Sequence, residues 1–113
     1  MLDINQTVRI YFVGGFTDMR CGRYTLSNVV KNNLGLDPYD GSAFVFMSKD
    51  HRKCKILMFR DHMYRLYDLA YEHGYKFMEL RNTDGSRIGG VEEITYNYLV
   101  ALVGCPARTQ IRI

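Results

Sequence analysis

Apolar and polar residues change period several times along this chain, and each change marks an element. Thr7 to Val13 alternates in part and is rich in β-branched and aromatic residues, which predicts a strand closed by Gly14-Gly15. From Thr17 the period lengthens. Met19, Leu26, Val29, Val30 and Leu34 recur at spacings of three, four and seven, which predicts a helix over Asp18–Leu34. Thr17-Asp18 supplies oxygen acceptors for the free N–H groups of a first turn, and Asp18 adds a negative charge there. Gly35 follows the last apolar position, as a left-handed cap requires. Gly22 inside this span costs roughly 1 kcal/mol against alanine. Either something packs closely on that backbone, or the helix begins only after Gly22; the pattern leaves both open.

Beyond the helix, Asp37-Pro38-Tyr39-Asp40-Gly41 is a turn signal, because Pro38 presets its own φ and Gly41 permits a positive one. Ala43–Met47 is a continuous apolar run, as expected of a strand covered on both faces. The polar Ser48–Lys53 and a second apolar run, Cys54–Phe59, predict an antiparallel hairpin with it. Asp61–Gly74 is ambiguous: Met63, Leu66, Tyr67 and Ala70 fit one helical face, and a short strand passing into a helical turn is the reading adopted. Tyr75–Leu80 returns as strand. Asp84-Gly85 and Gly89-Gly90 mark a loop over Asn82–Gly90. Val91 to Val103 has helical spacing, ended by Gly104 and Pro106. Residues 1–6 and 107–113 read as loose ends.

These elements predict an α+β fold in one domain spanning residues 1–113: an antiparallel sheet of about five strands, the Asp18–Leu34 helix packed on it and a C-terminal helix. Apolar content of 47% with only two prolines argues for a packed core. Net charge is a mild +3 and uneven. Residues 1–60 carry nine Lys/Arg against five Asp/Glu, whereas residues 61–113 carry six against seven, so the basic surplus lies in the first half. Cys21, Cys54 and Cys105 are odd in number and lack Cys-x-x-Cys spacing, against a disulfide framework or closed zinc site. No apolar run reaches membrane-helix length and no leader pattern opens the chain, so it reads as a reduced cytoplasmic protein without membrane contact.

Thr17-Asp18-Met19-Arg20, a glycine two residues later and a leucine four beyond that begin an ordered series of segments. Gly35–Phe46 (GLDPYDGSAFVF), Lys55-Ile56-Leu57 and Glu72–Phe77 (EHGYKF) complete it. In order and spacing the series resembles the small TnpB-type accessory proteins encoded by the second open reading frame of insertion sequence family sixty-six. The likeness runs from about Thr7 to Phe77 and more loosely to Gly104. Met58, Phe59 and Met78-Glu79 stand where that family usually places tryptophans. Leu69-Ala70-Tyr71-Glu72 replaces a basic run, removing two positive charges. The resemblance also suggests a strand running into a tight turn for the ambiguous stretch. For function it implies a non-catalytic accessory protein that assists a separately encoded transposase, by binding element DNA or by holding the transposase on it. It implies no cofactor.

Residues with chemistry of their own are few. Asp18, Asp37 and Asp40 are the carboxylates available for a two-metal nuclease, yet each already has an ordinary cap or turn role. His51, His62 and His73 recur every eleven residues but fall in a loop, a turn and an element end, and read as surface histidines. Gly14-Gly15 sits where a phosphate loop would, but lacks the other glycines and the lysine of either fingerprint, and reads as a turn. The basic hairpin is the best candidate site. Lys49, Arg52, Lys53 and Lys55 cluster around a β-turn, Arg60 closes the second strand, and Arg20 and Arg23 could join the same face. Such loops clamp phosphates and release counterions. The same charges would also serve as a solvated tip that discourages edge pairing. Nine tyrosines and six phenylalanines offer stacking platforms, most of them assigned to the core. Two other classes compete: a protein–protein adaptor without nucleic-acid contact, and a small metal-dependent nuclease.

Overall fold

A computed structural model describes residues 2–109. The fold is α+β, built on a five-stranded sheet in the order β4-β3-β2-β1-β6. Its strands are β1 (Ile10–Val13), β2 (Ala43–Met47), β3 (Lys53–Arg60), β4 (Met63–Ala70) and β6 (Val91–Ile94). β5 (Tyr75–Lys76) pairs away from the sheet with β7 (Ala107–Arg108). The sheet is mostly antiparallel, with one parallel pair, β1 and β2. A parallel neighbour demands a crossover, and the helical segment between these strands supplies it.

β2 is central and buried along its whole length. Alternate residues serve opposite faces. Phe44 and Phe46 pack with Val13, Leu57, Leu26 and Val30 beneath helix α1 (Arg23–Asn28) and the π-helical turn Val29–Asn33 that continues it. Ala43, Val45 and Met47 pack on the other face with Ile10, Ile56, Met58 and Phe77, under helix α2 (Tyr96–Gly104) through Leu99 and Leu102. Cys54 lies within this second cluster, where burial pushes its thiol up to about 12.

Several expectations need correction. The helix starts at Arg23, not Asp18, with Gly22 at the cap position. Beyond its chain neighbours nothing lies within 4 Å of where a Gly22 Cβ would stand, so of the two readings left open the late start holds. Asp18 instead closes a turn, its Oδ1 accepting from Arg20 N at 2.9 Å. Met19 still reaches the core beneath α1 from the preceding loop. Gly35 does take the left-handed conformation, φ 67°, and Leu36 N closes the helix by donating to Val30 O at 3.0 Å.

The ambiguous stretch is strand for eight residues, with no helical turn. Tyr64 and Leu66 pack toward α1 while Tyr67 and Leu69 pack toward α2, and eight register partners on β3 outweigh the local helical spacing. The expected strand Tyr75–Leu80 shrinks to the two residues of β5, and the sheet's fifth strand comes instead from Val91–Ile94, expected as helix. Helix α2 begins only after Thr95, whose Oγ1 accepts from Tyr98 N at 3.2 Å. At the ends of the chain, Ile4 is buried in the core and Ala107-Arg108 forms β7. Positions 1 and 110–113 of the expected loose ends lie outside the described residues.

Candidate nucleic-acid interface

Because β1 and β2 run parallel, their carboxyl ends lie at the same end of the sheet. The loop after β1 is fixed against the end of β2 by Thr17 N, which donates to Met47 O at 2.8 Å. The β2–β3 turn is built on Asp50. Its Oδ1 accepts from Arg52 N at 3.1 Å and from Ser48 Oγ at 2.8 Å, and Ser48 Oγ accepts from Lys53 N at 3.0 Å. These bonds favour the charged carboxylate and hold it below the ordinary range, the backbone N–H of Arg52 contributing most. The turn is a rigid stem that projects Lys49, Arg52 and Lys53.

The seven candidate cations do not form one group. Arg20, Lys49, Arg52 and Lys53 lie on the two segments that meet at the carboxyl end of β1 and β2, whereas Arg23, the first residue of α1, lies against Tyr24, whose ring packs on Tyr64 of β4. Arg20 is clamped by Asp18, its Nη2 donating to Oδ2 at 2.7 Å, yet its side chain stays 92% exposed. This clamp pulls the Asp18 carboxyl down to about 2, chiefly through the Arg20 side-chain bonds. Arg23 lies over the Tyr24 ring at 4.8 Å, and Lys49 Nζ stands 5.5 Å from the centre of the Phe16 ring.

Lys55 is different. It lies beneath α1 and is only 7% exposed, with Nζ donating to Cys21 O at 2.8 Å. Its role here is to tether the loop that carries Arg20. Arg60 is different again, since β3 carries it to the opposite end of the sheet, beside Arg9, Asp40 and Gly41. Eight residues of strand put roughly 25 Å between it and the hairpin turn.

Beside the cationic end lies a cleft of about 280 Å³ lined by Gly14, Gly15, Phe16, Lys49, His51, Glu79, Arg87 and neighbouring apolar residues. Gly14 permits this arrangement. Its N–H donates to Gly90 O at 2.6 Å, and a Cβ there would stand 2.1 Å from Ile88 O. His51 takes φ 59°, its N–H donates to Ser48 O and its carbonyl accepts from Phe77 N at 2.7 Å. Its Nδ1 is buried without a hydrogen-bond partner. Periodicity brought neither Phe16 nor Arg87 to this place. The signals in the chain were the glycine pair before Phe16 and the glycine-flanked loop around Arg87, both read as turns.

The family model described as IS66 Orf2 like protein matches residues 8–87. The chain belongs to this family of insertion-sequence accessory proteins. It is 40% identical over 57 residues to the uncharacterised protein y4hO of Sinorhizobium fredii. That match covers half of each chain, so this chain spans about half the length of its curated relative. No solved structure matches. Among the described residues, no helix is long and apolar enough to cross a membrane.

Proposed function

We propose that this protein assists transposition in the cytoplasm, without catalysing it, by binding the DNA of its element and presenting that DNA to a separately encoded transposase. The observation that carries this reading is that Arg20, Lys49, Arg52 and Lys53 lie at one end of the sheet, on two segments tied to each other by the hydrogen bond from Thr17 N to Met47 O. Four cations on hydrogen-bonded backbone suit phosphates spaced along a strand. Lys55 supports this surface from below, and Arg60 belongs to another face.

A second reading, docking on the transposase without DNA, has one observation of its own. Tyr24 and Tyr39 are exposed and edge-packed with Phe59 and Tyr64, in a cluster of rings beside the α1 face.

The test is fluorescence anisotropy of a labelled duplex of the element's terminal repeat at two salt concentrations. Binding that weakens steeply with salt, and is lost when Arg52→Glu and Lys53→Glu are combined, supports the proposal. No binding at low salt overturns direct DNA recognition, and capture of purified transposase by the protein alone would then establish the docking reading.

A further inference from the structure

The cleft beside the cationic end is not a flat phosphate-binding surface. It has a floor of Leu80, Ile88 and Phe12, an aromatic wall, two cations and a polar group without a partner. Phe16 is 65% exposed, whereas the chain's other phenylalanines are buried or half-buried. Lys49 Nζ lies 5.5 Å from that ring's centre, so a flat apolar face and a positive charge are offered together. Arg87 stands across the cleft with its side chain 81% exposed, paired with Glu79 at 3.6 Å. Glu79 is shared with Arg81 at 3.2 Å, so one carboxylate faces two guanidinium groups and leaves a positive balance.

His51 adds the polar element. Hydrogen bonds at both its backbone N–H and carbonyl hold it in a left-handed conformation that a non-glycine residue seldom takes. His51 lines the cleft, and its Nδ1 is buried without a hydrogen-bond partner.

We propose that this cleft is a nucleotide subsite that takes one unpaired base of a DNA strand. The base stacks on Phe16, and the adjoining phosphate lies against Lys49 and Arg87. A cleft of about 280 Å³ suits one nucleotide and is too small for a base pair with its backbone. A stacked ring reads any base, because every base has a π-face, so the subsite senses strand state more than sequence. This inference rests on the DNA-binding reading and sharpens it. The cations of the hairpin hold backbone, and the cleft distinguishes a frayed or single-stranded end from continuous duplex.

The test uses 2-aminopurine, whose emission responds to stacking, at three positions: in an unpaired overhang, in the paired interior of the same duplex, and in the free mononucleotide. Anisotropy of a distant label on the DNA is followed in parallel. The expected result is a saturable emission change for the overhang base and none for the interior base. Phe16→Ala should weaken the overhang response roughly five- to hundredfold, Phe16→Tyr should retain it, and Arg87→Ala should weaken it about fivefold or more. Phe16 and Arg87 are exposed, so these substitutions leave the core untouched. DNA that binds by anisotropy with no change at the overhang base overturns the subsite while leaving the DNA-binding reading intact. An emission change from the free mononucleotide, with no DNA bound, keeps the subsite and overturns the DNA-binding reading. Silence in every arm overturns both.

Discussion

At the scale of single residues, two glycines show how different constraints hide behind one letter. Gly22 sits in open space in an extended conformation before α1, so it is replaceable. Gly14 is not, because Ile88 O occupies the volume of its missing Cβ and that oxygen is backbone. Gly14→Ala should destabilise the fold by about 1–3 kcal/mol, while Gly22→Ala should cost under about 1 kcal/mol. Urea denaturation of the two variants checks this, and equal midpoints would contradict it. Asp18 gives a pH prediction. Its folded-state pKa, about 2, lies below its ordinary 3.8, so the clamp on Arg20 is complete above about pH 4 and is lost as pH falls through about 2. The carboxylate is solvent-exposed, so this governs the posture of the loop more than global stability. A carbon-13 titration should place the Asp18 midpoint near 2, and Arg20→Ala should return it toward 3.8.

At the scale of elements, the tight β3–β4 connection stores a correctable cost. Arg60 pairs with Met63, leaving Asp61-His62 as a two-residue loop with φ 54° and 61°. Both angles are positive, as the favoured hairpin turns require, but neither residue is the Asn-Gly that takes them most readily. Replacing Asp61-His62 with Asn-Gly should raise stability by about 1 kcal/mol, read as a higher urea midpoint. The exchange removes the Asp61 contact to Arg65 at 3.4 Å, which is exposed on the Asp61 side and worth little. This turn also explains where sequence reading stopped. Ala43–Met47, its hairpin with the next strand and the Gly35 cap were legible, because each is fixed by a continuous apolar run or by one residue's conformational freedom. Met63–Ala70 was not, because an edge strand buries parts of both faces and its spacing then mimics a helix. Val91–Ile94 failed for a related reason: Val91 and Ile94 fit a helical interval, and only pairing with β1 makes them strand.

At the scale of the whole molecule, topology decides which charges act together, and this was the part least legible in the chain. The basic residues of the hairpin are neighbours in sequence, so their grouping could be read. That Arg20 joins them depends on the parallel β1–β2 pair, that Arg23 stands apart follows from its place on α1 against Tyr24, and that Lys55 and Arg60 leave them depends on strand alternation and strand length. The cleft is further still from sequence, since it joins loops around Gly14, His51 and Arg87. The division of the molecule into two ends gives a sharp prediction. If phosphates meet the carboxyl end of β1 and β2, each cation lost there should lower the slope of log affinity against log salt by about 0.9. Arg52→Ala and Lys53→Ala together should therefore lower it by about 1.8, and Arg60→Ala should leave it unchanged. Lys55→Met should act otherwise, because its ammonium bonds Cys21 O and is almost wholly buried. Losing that tether should loosen the Arg20 loop and weaken binding at every salt concentration, with the slope nearly preserved. Anisotropy at four or more salt concentrations separates these outcomes. A slope that fell equally for Arg60→Ala and Lys53→Ala would mean that DNA wraps both ends of the sheet, contrary to the single cationic end argued from the fold.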